Sequence, residues 1–240
     1  MIKAILLDIE GTTTPIDFVH KTLFPFAAKW IEDYVAGNFD HLAAEILQLK
    51  VEHAGETAYN SPLDTASALS VSEFLKYLIE TDRKSTPLKS IQGKIWQQGY
   101  ESGEIKSEVF DDVPRAFARW RDEGLAIAIY SSGSILAQEL LFKYTTFGDL
   151  TPFISQHFDT NTGRKNDVHS YRNISDLLDL HPDAILFVSD APSELTAASE
   201  AGLCPVLSVR PGNLPVEKTD IWRTITTFDN LGQIDQFLSP

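Results

Sequence analysis

The sequence predicts an α/β fold, a Rossmann-like core with a parallel sheet and an inserted all-helical cap. Ile2–Leu7 is a short, almost continuously apolar run, which is typical of a strand covered on both faces of a parallel sheet. From about residue 17 to about 103, apolar residues recur at helical spacing instead. After residue 103, short apolar runs alternate with amphipathic segments, which indicates parallel strands joined by helices.

The inserted segment shows three groups of apolar residues at helical spacing, within 23–34, 71–78 and 91–96. Ser70 or Ser72 is the predicted cap of the second helix. We therefore predict a discontinuous core, residues 1–15 and 104–240, and a helical cap, residues 16–103. A cap inserted after the first strand is expected to act as a lid, because open α/β sheets bind ligands at the carboxyl ends of their strands.

The segment after residue 103 is predicted to alternate helices with strands. Its predicted strands are Leu125–Tyr130, Gln156–Phe158, Ala184–Val188 and Pro205–Val209. Its predicted helices are Pro114–Glu123, Leu136–Tyr144, Ser170–Leu180 and Ser193–Ala201.

The composition is that of a globular protein, with 43% apolar and 22% charged residues among 240. The net charge of −14 disfavours nucleic acid and anionic membranes as partners, since both bind basic surfaces. One cysteine, Cys204, permits no internal disulfide. No apolar run is long enough to span a bilayer, and Asp8 comes too early for a signal peptide, so we expect a cytoplasmic protein.

Polar residues that could carry chemistry occur at four positions, each after a predicted strand. Asp8 and Glu10 end the first strand, before Gly11. A carboxylate there could accept a phosphoryl group, and the second acid could protonate the leaving oxygen and later activate water. An ordinary polar turn explains the same residues.

Ser131 and Ser132 follow the second strand, where hydroxyls and amides at a helix start could bind an anion or simply cap the helix.

The other two positions are Lys165 and Asp190. A lysine in a loop rich in Gly and Asn is usually solvated, but here it could supply positive charge for an anionic substrate in an acidic protein. Asp190 could join Asp8 around Mg²⁺, which takes oxygen ligands, or it could cap the next helix beside Glu194. No single position decides the matter. Together the four predict a site for phosphoryl transfer at one edge of the sheet.

These motifs resemble those of the haloacid dehalogenase superfamily. More narrowly, almost the whole chain resembles the enolase-phosphatase E1 family, also called acireductone synthases. The narrower resemblance rests on DIEGTTTPIDFV, IQGKIWQQGYESGEIKSEVFDDVP, IYSSGS, FGDLTPFISQHFDT, FVSDAPSE and SVRPGN. The glutamate at position 10 is specific, because most phosphatases of the superfamily have aspartate there.

The resemblance implies a bifunctional enzyme of methionine salvage that enolises and then dephosphorylates 2,3-diketo-5-methylthiopentyl-1-phosphate. Asp8 and Asp190 would bind Mg²⁺ through their side chains, and Glu10 through its backbone carbonyl. Ser131, Ser132 and Lys165 would bind the substrate phosphate. The resemblance also implies a monomer. The residues leave the base of the enolisation step unassigned.

Other functions share part of the pattern. A dehalogenase needs the nucleophile but neither Glu10 nor a metal. A phosphosugar mutase, or another magnesium-dependent phosphatase of the superfamily, has the same core motifs. A phospho-aspartate receiver module is about half as long and lacks the insertion. A non-catalytic binding module is disfavoured, because every expected polar position is filled.

Overall fold

The computed structural model describes residues 1–216 and 221–231. They cluster into two compact units, one formed by Met1–Val19 with the described residues from Lys106 onward, and the other by His20–Ile105. The predicted domain boundaries at 15/16 and 103/104 stay predictions. Within the described residues, no helix combines the length and apolarity that a bilayer crossing requires.

The first unit is built on a parallel sheet with the order β3-β2-β1-β4-β5-β6, which confirms the predicted α/β fold. Its strands are β1 (Ala4–Leu7), β2 (Ala126–Tyr130), β3 (Gln156–Phe158), β4 (Ile185–Ser189), β5 (Cys204–Ser208) and β6 (Arg223–Ile225). The helices of this unit are α1 (Ile16–Phe18), α6 (Val113–Asp122), α7 (Ile135–Lys143), α8 (Val168–Leu177) and α9 (Pro192–Ala201).

The central strands are shielded from solvent, and their residues are apolar on both faces of the sheet. All residues of β1 and β4 are buried, as expected for parallel strands with helices above and below. β1 pairs with both β2 and β4, and Leu7 lies opposite Ile129 and Val188. The strand order reverses at β1, so the crevice between β1 and β4 is the topological switch point where ligands bind in such sheets.

The second unit is helical, as the spacing predicts. Its helices are α2 (Phe24–Asn38), α3 (Ala43–Gly55), α4 (Ala68–Glu80) and α5 (Thr86–Ser102). A core of buried side chains, among them Ile31, Leu49, Phe74 and Ile91, joins them. The π-helix Val19–Leu23 precedes α2, and Trp96 Nε1 donates to the Leu23 carbonyl at 2.8 Å.

Two local predictions need correction, and one strand was missed. The cap of α4 is Ser67, whose Oγ accepts from Ser70 N, and not Ser70 or Ser72. The Ser72 hydroxyl instead donates back to the Ala68 carbonyl at 2.8 Å. The first strand begins at Ala4 rather than Ile2. Strand β6 was not predicted: it is short and partly exposed, and it depends on pairing with β5.

Candidate active site

Asp8 lies directly after β1, at the switch point of the sheet. Its N–H donates to the Val188 carbonyl of β4 at 3.0 Å, so the neighbouring strand fixes the position of the Asp8 backbone. One carboxylate oxygen, Oδ1, accepts from Ile9 N at 2.7 Å. The other, Oδ2, accepts from the Ser189 hydroxyl at 3.1 Å. Both oxygens are therefore held, and the carboxylate has one preferred orientation.

Lys165 is not solvated: its ammonium group is buried beside Asp8. Lys165 Nζ lies 2.6 Å from Asp8 Oδ1, and the side chains of the two residues are 9% and 8% exposed. The same nitrogen lies 2.7 Å from Glu194 Oε2. Burial alone would lower the pKa of Lys165, but the carboxylates of Asp8 and Glu194 outweigh it and raise that pKa above its usual value. The lysine is charged at neutral pH.

The loop that carries Lys165 is held by side chains from elements on either side. Tyr171 on α8 donates its hydroxyl to the Lys165 carbonyl at 2.6 Å, and Tyr130 on β2 donates to the Gly163 carbonyl at 3.0 Å. Ser170 Oγ donates to the Arg164 carbonyl at 2.7 Å. These bonds fix the loop backbone, so the lysine side chain is directed toward the sheet edge rather than into solvent.

Glu194 belongs to this site, although the sequence pattern places it only beside Asp190 at the start of a helix. It stands in the first turn of α9, and its Oε2 lies 2.8 Å from Ser189 Oγ. Ala191, which precedes the helix, makes no side-chain cap, and its N–H donates to Ser189 Oγ instead. The sequence gives one indication of this role. Glu194 stands three residues after Ala191, where a glutamate often pairs with a capping Ser or Thr, but alanine has no side chain that can cap a helix.

The site holds more negative charge than its lysine neutralises. Burial, and then the neighbouring Asp8 carboxylate, raise the pKa of Asp190 to about 7. The same two causes raise the pKa of Glu194, against the opposing effect of Lys165. Glu10 also contributes to the shift at Asp190. The carboxyl groups of Asp8, Asp190 and Glu194 thus share the Lys165 ammonium group, and Glu10 adds further negative charge.

This donor set fits a hard cation such as Mg²⁺. The carboxylates of Asp8 and Asp190 would offer oxygen, the ligand type that Mg²⁺ prefers, together with the Glu10 carbonyl that the family resemblance implies. Asn213 Oδ1 is buried beside them, and no described residue bonds it. Within the described parts of the chain, no three His, Cys, Asp or Glu side chains are grouped to hold a metal unaided. Mg²⁺ commonly keeps several waters and takes only one or two carboxylates.

The predicted phosphate-binding serines follow β2, on the other side of β1 from Asp190. Ser131 is buried, its N–H donates to the Phe158 carbonyl at 3.1 Å, and its Oγ accepts from Gly133 N at 3.1 Å. Its hydroxyl proton is thus the group that could bind an anion. Ser132 is half-buried. Ser134, and not Ser131 or Ser132, caps α7 through Ala137 N, so the helix-cap interpretation does not account for the first two serines.

The turn after Asp8 depends on Gly11. Its φ is +67°, and a Cβ there would lie 2.3 Å from Asp190 Oδ2. We expect Gly11→Ala to lower phosphate release and metal affinity about 10- to 100-fold, the range seen when groups supporting a metal site are displaced.

Gly124→Ala is the matched control, because Gly124 has a similar φ of +75° but open space where the Cβ would be. Both variants should lose about 1–2 kcal/mol of unfolding free energy from backbone strain. Comparable activity losses in the two variants would contradict the role of the clash with Asp190.

The fold and the site define a class, the haloacid dehalogenase-like hydrolases, and the family model of that description matches residues 2–202. Enolase-phosphatase E1 from Synechococcus elongatus is 52% identical over 234 residues, covering 96% of this chain and 98% of its own. That from Drosophila mojavensis is 43% identical over 244 residues, covering 98% and 96%. The chain belongs to the enolase-phosphatase E1 family.

A solved structure also matches nearly the whole chain. The UTR4 protein from Saccharomyces cerevisiae matches with a TM-score of 0.75 and 33% sequence identity, covering 96% of this chain and all of that one (100%). The fold is therefore shared along nearly the whole chain.

Proposed function

We propose that this protein is a magnesium-dependent enolase-phosphatase. Its substrate would be 2,3-diketo-5-methylthiopentyl-1-phosphate, and its product the acireductone 1,2-dihydroxy-3-keto-5-methylthiopentene, in methionine salvage. The observation that carries the proposal is the contact of Asp8 with Lys165, beside Glu194 and Asp190, at the switch point of the sheet. The relatives named enolase-phosphatase E1 support an enolase-phosphatase, and the substrate is the one that the family resemblance implies.

The phosphatase half follows from the residues. An Asp8 carboxylate oxygen attacks phosphorus and forms an aspartyl-phosphate, while the bond from phosphorus to the substrate oxygen breaks. Glu10 gives a proton to that leaving oxygen. Glu10 then takes a proton from water, which attacks phosphorus, releases phosphate and restores the Asp8 carboxylate. Lys165 and the hydroxyls of Ser131 and Ser132 stabilise the charge on the phosphoryl oxygens.

Asp8, Asp190 and the Glu10 carbonyl would hold Mg²⁺. When bound, the ion would supply positive charge that offsets the carboxylates and polarises the phosphoryl oxygens and a substrate carbonyl, which makes the adjacent C–H more acidic. Enolisation would come before hydrolysis, as the resemblance to the family implies.

The test follows two signals on the diketo phosphate, phosphate release and enol absorbance, with Mg²⁺ and with EDTA. We expect both signals with Mg²⁺ and neither after its removal. Full activity in EDTA would contradict the metal requirement. Faster turnover of sugar phosphates would favour a phosphosugar mutase. A phospho-aspartate that is stable for minutes without turnover would favour a receiver module.

A further inference from the structure

The segment Ser208–Asn213, which follows β5, binds the backbone of the loop that follows Asp8. Ser208 Oγ donates to the Gly11 carbonyl at 3.2 Å, and Asn213 Nδ2 donates to the same carbonyl at 2.9 Å. Arg210 Nε donates to the Thr12 carbonyl at 3.1 Å. Three side chains of one short segment therefore hold two consecutive carbonyls of the catalytic loop.

These bonds bear on the Glu10 carbonyl, the backbone ligand in the proposed function. The peptide that contains this carbonyl also contains the Gly11 N–H, which donates to the Thr14 carbonyl at 2.8 Å. A trans peptide directs its C=O opposite to its N–H. With the peptide on one side of Gly11 held by Thr14 and the peptide on the other side held by Ser208 and Asn213, the direction of the Glu10 carbonyl is fixed.

Asn213 also presents an unused acceptor. Its Nδ2 donates to two carbonyls, those of Gly11 and Ser208, and carbonyls can only accept. The amide nitrogen must therefore face them, and Oδ1 must face away. That oxygen is buried, and no described residue bonds it. Leaving a buried acceptor unbonded costs about 1–3 kcal/mol, so we expect a donor other than the described residues.

The position of Asn213 Oδ1, close to Asp190, indicates which kind of donor it faces. Asn213 Oδ1 and Asp190 Oδ2 lie 2.9 and 2.3 Å from one point, the position that a Cβ on Gly11 would take. The unbonded acceptor thus shares a small space with a carboxylate assigned to the metal. A water bound to Mg²⁺ gives its lone pair to the ion and can only donate hydrogen bonds to the protein, which is what an acceptor without a partner needs.

We propose that Asn213 is a positioning residue of the magnesium site, whose Nδ2 fixes the loop through the Gly11 carbonyl and whose Oδ1 accepts a hydrogen bond from a magnesium-bound water. The inference rests on the proposed function, because it requires the ion at Asp8 and Asp190. Ser208 shares only the first of these two tasks, which makes it the matched comparison.

The test measures metal affinity without substrate, by calorimetric titration of the full-length protein with Mg²⁺ and by the electron paramagnetic resonance signal of free Mn²⁺. We expect Asn213→Ala to weaken binding at least about tenfold, as for other residues that orient metal ligands. Ser208→Ala removes one donor to Gly11 and leaves Asn213 Oδ1 in place, so it should weaken binding less than about threefold. Equal losses in the two variants would overturn the water-binding role.

A second measurement does not depend on the variants folding. In a crystal structure of the wild-type protein with Mg²⁺, a metal-bound water should lie within hydrogen-bond distance of Asn213 Oδ1. An ion bound at Asp8 and Asp190 with no such water would overturn the inference and leave the proposed function standing. Wild-type protein that binds neither Mg²⁺ nor Mn²⁺ would contradict both.

Discussion

Replacing Asp8 by asparagine is expected to abolish phosphate release, lowering kcat by more than about 1,000-fold. An amide cannot form the acyl-phosphate that the carboxylate forms. The substitution keeps the size of the side chain, and the asparagine Oδ1 can still accept from Ile9 N or Ser189. The fold should persist, so circular dichroism and the unfolding midpoint separate lost chemistry from lost structure.

Asp176→Asn is the control for this variant, because Asp176 is an exposed acid on α8. It should leave phosphate release and the unfolding midpoint unchanged. Multiple turnovers by Asp8→Asn at a rate near that of the wild type would show that another group attacks phosphorus. The assignment of the nucleophile would then be wrong.

Replacing Lys165 by methionine is expected to have the second large effect, on activity and on stability together. The variant loses the ammonium group that lies against Asp8 and Glu194, and kcat should fall about 100- to 1,000-fold, as when a charge-stabilising donor is removed. Breaking a buried ion pair on one side leaves carboxylates uncompensated, which costs about 3–5 kcal/mol of unfolding free energy.

The stability loss in Lys165→Met should depend on pH. The pKa of Glu194 is already raised by burial and by Asp8, and without the lysine it rises further. A folded-state carboxyl pKa above the unfolded one lowers stability as pH rises between the two values. Urea unfolding in EDTA should therefore show a larger loss at pH 8 than at pH 5.

Two further lysine variants complete this test. Lys143→Met, at an exposed lysine near the end of α7, should change neither activity nor stability. Lys165→Arg keeps the charge but not the shape, so it should recover stability more than kcat. A Lys165→Met protein as stable as the wild type at pH 8 would contradict the buried ion pair.

The sequence was sufficient for features that local pattern decides. The parallel core, the helical insertion and the positions of Asp8, Ser131 and Asp190 after strands follow from apolar runs and the polar residues that end them. These signals survive because a strand buried on both faces must be apolar wherever it sits in the sheet. The class of chemistry follows from the residue types at those ends.

What the sequence could not show depends on contacts between distant segments. The burial of Lys165 is set by Tyr130 and Tyr171, which hold its loop from β2 and α8. The residues next to Lys165 in the sequence are polar and predict a solvent-exposed side chain. The place of Glu194 in the site depends on the same lysine. Strand β6 has no apolar run of its own and is defined by its pairing with β5.

The hydrogen bonds of the site also have a consequence for folding kinetics. Asp8 and Ser189 are 181 positions apart in the chain, and Gly11 and Asn213 are 202 apart. Contacts of such separation form only after large chain loops have closed, which makes them slow to appear during folding. A nascent chain in which β5 has not yet been synthesised already contains Asp8. It still lacks Ser208 and Asn213, which bind the Gly11 carbonyl in the loop after Asp8. Catalytic competence should therefore be among the last properties the protein gains as it folds.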